Sequence, residues 1–159
     1  MLKVKLRKVI SGGQTGADKT ALVEAKKLGL ETGGTAPKGW RTDEGPDYEL
    51  RDLYSLIESS TSDYGPRTKD NVRNADATVW IGKTGSPGYY CTKNAARTSN
   101  KEFYINPSEL QLAYIVRTYG IVNFAGNRRR LNPPVVGMVE EAFRIIKRVL
   151  EIPDAEKTE

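Results

Sequence analysis

Residues 10–18 read Ile-Ser-Gly-Gly-Gln-Thr-Gly-Ala-Asp and close an apolar run that ends on Val9 and Ile10. Gly12, Gly13 and Gly16 carry no Cβ, so the backbone here can turn tightly and approach a bound group. A helix starting at about residue 16 adds unpaired N–H groups and the positive end of its dipole. That combination suits a phosphate or another anion. The spacing is neither GxGxxG nor GxxxxGK[ST]. Thr15 and Gly16 stand where a Walker loop needs Lys and then Ser or Thr, which disfavours an ordinary ATPase. A plain strand-to-helix turn would also use these glycines, but such turns in open α/β sheets are where ligands sit. Asp18 falls in the first helical turn. A carboxylate there gains about 0.3–1 kcal/mol from the dipole, yet it repels a neighbouring phosphate. It reads either as a cap-type residue or as a ligand for a metal or a sugar hydroxyl.

Composition narrows the chemistry. The chain of 159 residues has no histidine and one cysteine, Cys91. Internal disulfides, zinc sites of the Cys/His type and Ser-His-Asp triads are excluded. Carboxylates, Lys, Tyr, Cys91 or a bound metal remain, which tilts the reading towards binding rather than catalysis. The net charge of +5 favours an anionic partner. Arg128-Arg129-Arg130 is the densest basic run and fits a solvated loop as well as a contact surface. The aromatic residues are scattered and show no RNA-binding spacing, so nucleic acid is not expected. No apolar run approaches the roughly 20 residues of a membrane span. The basic stretch 1–8 leads into a strand rather than a signal-type apolar region. These features predict a cytoplasmic protein without a membrane partner.

The elements that must position the glycine loop follow from periodicity. A strand is predicted over 3–10, with its first half alternating wet and dry, and a helix over 16–28 with Ala17, Ala21, Ala25 and Leu28 on one face. Gly29 suits the position after that helix. Residues 30–36 form a second strand interrupted by Gly33-Gly34. The polar stretch 37–67 lacks periodicity apart from a short helix using Leu50, Leu53, Leu56 and Ile57, and long segments of this kind are functional or flexible. Then follow a helix over 68–75 with Asn71 and Val72 inward, the strand 77–82, a second glycine loop 83–88 and a helix over 90–99. A strand over 102–106, a helix with Ser108 as N-cap, a strand over 121–125 and a last helix opening at Pro133 or Pro134 complete the order. Residues 1–152 make one ligand-binding domain, and 153–159 form a charged, frayed tail.

Alternating strands and helices predict a single-domain, Rossmann-like, doubly wound α/β fold around a mainly parallel five-stranded sheet. Three strands run into loops at their C-terminal ends: 11–16, 82–88 and 126–127. In a parallel sheet those ends share one rim, so the three loops are expected to meet at one crevice.

Ile10–Asp18, Pro37-Lys38-Gly39, Arg67-Thr68 with Asn71-Val72, Ala75–Thr78, Ser86-Pro87-Gly88 with Thr92, and Asn123 with Ala125-Gly126 occur in this order. Over about residues 8–150 the chain resembles the molybdenum cofactor carrier family, within the SLOG and lysine-decarboxylase-like group of Rossmann-type nucleotide binders. The resemblance implies a homo-oligomer, dimer or tetramer, and a site for the molybdenum cofactor, a phosphorylated pterin, or for a nucleotide-like ligand. Matched by motif, Gly12, Gly13, Gln14, Thr15 and Gly16 form one wall with Asp18. Lys38, Arg67, Thr68 and Asn71 approach from the long loop and the helix after it. Ser86, Gly88 and Thr92 donate to a second anionic group, and Asn123 and Asn127 close the rim. The chain departs from the family at Tyr89-Tyr90-Cys91, where the two tyrosines could stack on a flat ring or serve as plain packing residues, and in an insertion around 51–57.

Three functions compete. The first is non-catalytic carriage of a phosphorylated, ring-containing small molecule. The second is binding of a nucleotide-derived signal, as a sensor or a sponge. The third is a LOG-type nucleotide phosphoribohydrolase, which needs a PGGxGTxxE loop with a catalytic Glu. Residues 86–96 hold no carboxylate, so an enzyme is not expected.

Overall fold

The computed structural model describes residues 3–152, and the charged tail lies outside them. Strand β1 (Lys8–Ile10) opens a five-stranded sheet whose other members are β2 (Glu31–Gly33), β7 (Ala77–Ile81), β8 (Glu102–Ile105) and β9 (Ile121–Gly126). The spatial order is β2-β1-β9-β7-β8, and every pair is parallel. Helices α1 (Ala17–Lys27), α5 (Glu109–Thr118) and α6 (Val135–Glu151) pack together on one face, while α3 (Tyr64–Arg73) and α4 (Pro87–Thr98) pair on the other. This is the doubly wound, Rossmann-like α/β fold that the alternation predicts.

Side-chain alternation along β7 fixes both layers. Val79 and Ile81 join Val9, Val122 and Phe124 in the large core beneath α1, α5 and α6. Trp80, one residue out of phase, turns to the other face and meets Tyr89 of α4 edge-on at 5.3 Å. The predicted caps hold: Ser108 and Gln111 form a reciprocal capping box on α5. Gly29 follows α1 with φ +79°.

Several boundaries differ from the sequence reading. Residues 3–7 do not extend β1. The N–H groups of Lys5 and Leu6 both donate to the Val116 carbonyl near the end of α5, at 3.0 Å. Helix termini leave carbonyls open, and this segment satisfies one of them instead of a neighbouring strand. Helix α3 begins at Tyr64 rather than Thr68. Pro66 lies in its first turn, where a missing N–H costs nothing. Helix α4 begins at Pro87, with the Ser86 side chain accepting from the Tyr89 N–H at 3.2 Å.

The stretch 37–63 is ordered. Gly34 has φ +124°, and a Cβ there would lie 2.1 Å from the Ser11 carbonyl oxygen, so the chain can leave β2 only through glycine. It continues as β3 (Thr35–Ala36), a 3-10 turn at Lys38–Trp40, the hairpin β4 (Arg41–Thr42) and β5 (Gly45–Pro46), the single-turn α2 (Glu49–Asp52), and β6 (Ile57–Glu58) paired with β3. Trp40, Leu50, Tyr54 and Leu56 bury with Leu22 and Ala36 as a second small core. The predicted helix is therefore one turn. Leu50 and Leu56 go inward, and Leu53 and Ile57 stay exposed.

Candidate functional site

The three loops meet. A cavity of about 420 Å³ opens at the C-terminal rim of the sheet, between the glycine loop, the first turns of α3 and α4, and the segment after β9. Gly12, Gln14, Asp18, Arg67, Thr68, Asn71, Ser86, Gly88, Thr92, Asn123 and Asn127 all line it. Gly13, Thr15, Gly16, Lys38 and Tyr89 do not. Gly13, with φ +78°, turns the side where a Cβ would sit towards Leu50, 2.7 Å away in the small core. Gly16 is pressed against the backbone of 127–129, where a Cβ would meet the Arg129 nitrogen at 2.4 Å. Lys38 is exposed on its 3-10 turn. Tyr89 is buried among Trp80, Tyr90 and Phe103 as a packing residue.

The glycine loop spends its own donors. Gly13 N–H donates to Ser11 Oγ at 3.3 Å, Thr15 N–H to Gln14 Oε1 at 3.1 Å, and Ala17 N–H to the Asn127 carbonyl at 3.1 Å. Asp18 receives the N–H of Gln14 at 3.4 Å. The first N–H of α1 is thus taken by the segment after β9, and the surface over Gly12 is filled: a Cβ there would lie 1.7 Å from Arg67 Nη1. Glycine is needed at this position to admit a guanidinium, whereas the sequence reading had it admit a ligand.

Arg67 and Asp18 face each other at 3.8 Å, too long for a hydrogen bond, and only 7% and 8% of their surfaces are exposed. Burial outweighs their attraction. It pushes the Asp18 carboxyl up to about 6 against the pull of Arg67, and it lowers the Arg67 guanidinium from its ordinary range against the pull of Asp18. Arg67 Nε is buried with no hydrogen-bond partner. A buried donor without an acceptor costs about 1–3 kcal/mol, more when charged, and Arg117 Nε, away from the cavity, is in the same state.

A second cation stands at the mouth. The guanidinium carbons of Arg67 and Arg128 lie 4.8 and 4.3 Å from the ring centroid of Tyr64. Tyr64 and Arg128 both line the cavity. Arg128 also pairs with Asp43 of the β4–β5 hairpin at 2.9 Å. Asp43 N–H in turn donates to Gln14 Oε1 at 2.8 Å, so the hairpin is tied to the glycine loop. Trp80 and Leu131 add apolar wall.

Some predicted ligand contacts serve the scaffold. Asn71 accepts from Thr35 N–H at 2.8 Å and donates to its carbonyl at 3.0 Å, fixing β3. Asn127 clasps the backbone of Lys83 in the same two-way manner, at 2.6 and 3.1 Å. Thr92 Oγ1 donates to the Gly88 carbonyl at 2.9 Å, and Asn123 Nδ2 to Thr78 Oγ1 at 3.3 Å. Tyr64, Trp80, Cys91 and Arg128 line the cavity without having been singled out as site residues. For Tyr64 a signal existed: it stands three residues before Arg67, a same-face spacing once α3 is started early enough.

The parallel sheet with its crevice at the C-terminal rim makes this a Rossmann-like single domain, a fold in which ligands generally bind at that rim. A model of the circularly permutated YpsA SLOG family, cpYpsA, matches residues 9–148, and the chain belongs to that family. It is also similar to a solved structure from Syntrophus aciditrophicus SB named "Putative molybdenum carrier protein". The two are 31% identical with a TM-score of 0.78, over 94% of this chain and 97% of the other. No match was found among curated proteins. Family and fold agree with the resemblance read from the motifs.

Proposed function

We propose that the crevice holds a phosphorylated, ring-containing small molecule without transforming it, in the manner of a molybdenum cofactor carrier. The observation that carries this reading is a cavity of about 420 Å³ at the C-terminal rim of the sheet whose wall holds two guanidinium side chains, Arg67 and Arg128. The anion is assigned to Arg67, Arg128 and the start of α4, where Gly88 carries the first N–H after Pro87. The start of α1 is disfavoured because the Thr15 and Ala17 amides are occupied and the Asp18 carboxylate repels an anion there. Tyr64, Trp80 and Leu131 give the ring an apolar surface. Among the described residues no group of three or more His, Cys, Asp or Glu could hold a metal ion. A metal bound here would arrive with ligands of its own, which suits the molybdenum cofactor, whose organic part holds the metal. The absence of histidine from the sequence and of a carboxylate from 86–96 supports binding over hydrolysis.

Mass spectrometry of the purified chain tests this. Native spectra should show a bound mass, and denaturation should release it intact, as a phosphorylated pterin for the carrier reading or as a nucleotide derivative for the signal-binding reading. Nucleoside monophosphates incubated with the protein should stay whole. Released free base would replace the proposal with a hydrolase. The homo-oligomer that the resemblance implies is counted by sedimentation equilibrium.

A further inference from the structure

Three asparagines stand in the cavity wall, and their amides are not equally occupied. Asn71 and Asn127 each use both oxygen and nitrogen on one backbone position, Thr35 and Lys83 respectively. Asn123 does not. It is 3% exposed, and among the described residues its side chain makes one hydrogen bond, from Nδ2 to Thr78 Oγ1 at 3.3 Å. An amide carries two N–H donors and an oxygen with two lone pairs. Whichever way round the amide sits, Thr78 satisfies one of these and leaves a donor and an acceptor side by side. Among the described residues only Arg67 Nε and Arg117 Nε are fully enclosed without a partner, so the free amide oxygen is open to the cavity that Asn123 lines. In β9 its neighbours Val122 and Phe124 face the large core, so Asn123 points to the side of α3 and α4. It pairs in register with Thr78, and Trp80 follows two positions along β7 on that same side. The indole and the amide are therefore neighbours across adjacent strands.

We propose that Asn123 selects the ring of the bound molecule, and that it takes a heteroaromatic ring whose edge carries an N–H donor beside a carbonyl or ring-nitrogen acceptor, the cyclic amide or amidine edge. The inference rests on the binding function proposed above and adds to it the chemistry of the ring. An asparagine amide meets such an edge with two parallel hydrogen bonds. The ring lies against Trp80, whose own N–H is taken by the Lys83 carbonyl at 3.2 Å, so the indole offers apolar surface and no competing donor. A ring with an apolar edge, or with acceptors alone, leaves part of the buried amide unpaired, and that counts against its binding. The arginines contribute affinity common to every phosphorylated ring. Asn123 contributes the difference between rings.

Isothermal titration calorimetry on the full chain compares GMP with purine riboside monophosphate. The two share phosphate, ribose and bicyclic ring, and the second lacks the N–H, carbonyl and amino groups of the guanine edge. The expected result is binding of GMP tighter by about tenfold or more, the discrimination of one two-bond amide pair. Asn123→Leu, which keeps the size of the side chain, should bring the two affinities together. That change leaves the Thr78 hydroxyl buried and alone, so a second variant adds Thr78→Val and replaces both partners by apolar groups of similar shape. Equal affinities in the unaltered chain overturn the proposal without any variant. A variant that weakens both nucleotides alike and keeps their ratio overturns it too, because a merely disturbed wall behaves in that way. A chain that binds neither nucleotide also overturns it, whereas the carrier reading falls only when the native mass spectrum shows no bound molecule.

Discussion

Asp18 and Arg67 bury opposite charges without closing a hydrogen bond between them, and that choice has measurable consequences. The carboxyl of Asp18 holds its proton up to about pH 6 when folded, against 3.8 when free. Between those values the folded chain binds more protons than the unfolded one, so stability falls as pH rises. The contribution is complete below pH 4 and lost above 6, about 3 kcal/mol in all. Chemical denaturation at pH 4.5 and 7.5 should show this slope, and Asp18→Asn should flatten it. A variant with the slope unchanged would place the titration elsewhere. The same proton governs binding. Sulfate keeps its charge across this range, so its affinity should rise severalfold from pH 7.5 to 5.5 as Asp18 is neutralised. Isothermal titration calorimetry checks it, and Asp18→Asn should bind equally at both pH values. Arg67→Met should lose sulfate binding by at least tenfold, since a charge-assisted bond is worth about 1.5–3 kcal/mol.

At the level of elements, what could be read ahead of the structure was whatever depends on neighbours in sequence. Ala77–Ile81 is apolar and rich in β-formers, and Ser108 with Gln111 carries its own cap; both fall where pattern puts them. The convergence of three loops also followed from parallel topology alone. The filling of the glycine loop did not. Gly12 reads as an opening for a ligand until Arg67, 55 positions later in the chain, is seen to occupy the space. Lys5 and Leu6 alternate like a strand, but their partner is a helix end more than a hundred residues away. The glycines are thus not equivalent, and substitution sorts them. A Cβ on Gly126 would lie 2.1 Å from the Ile81 carbonyl oxygen and 2.5 Å from Ala17 Cβ, so Gly126→Ala must lift α1 from the sheet. Overpacking of this kind costs about 1–3 kcal/mol. Gly88 faces open space within α4, and Gly88→Ala should leave stability equal or raise it by up to about 1 kcal/mol. Thermal melts of the two variants side by side give the comparison. Equal melting temperatures would mean that the close approach of α1 is not what Gly126 provides.

Across the whole molecule, the basic run 128–130 takes on a meaning that neither a solvated loop nor a nucleic-acid contact supplies. Arg128 and Arg130 both reach Asp43, at 2.9 and 3.4 Å, and Arg129 pairs with Glu44, across 85 or more positions of sequence. These pairs join the tip of the β4–β5 hairpin to the segment between β9 and α6. Gly16 bridges that segment to the glycine loop. The rim of the crevice is therefore closed by charge pairing between parts that fold far apart in sequence, and a net charge of +5 does not translate into an open cationic patch there. Exposed ion pairs contribute little, but Asp43 is 14% exposed and serves two guanidiniums, so its loss should be felt locally. Asp43→Ala is expected to speed amide hydrogen exchange about tenfold in residues 41–47, a local opening made about 1.4 kcal/mol easier. Exchange in β7 and β9 should not change, because the core strands open only with the whole fold. Arg128 freed of its carboxylate should also bind sulfate more tightly. Uniform acceleration across the sheet would mean that the hairpin supports the entire domain, and unchanged exchange at 41–47 would mean that Trp40 and Leu50 hold it without help from the arginines.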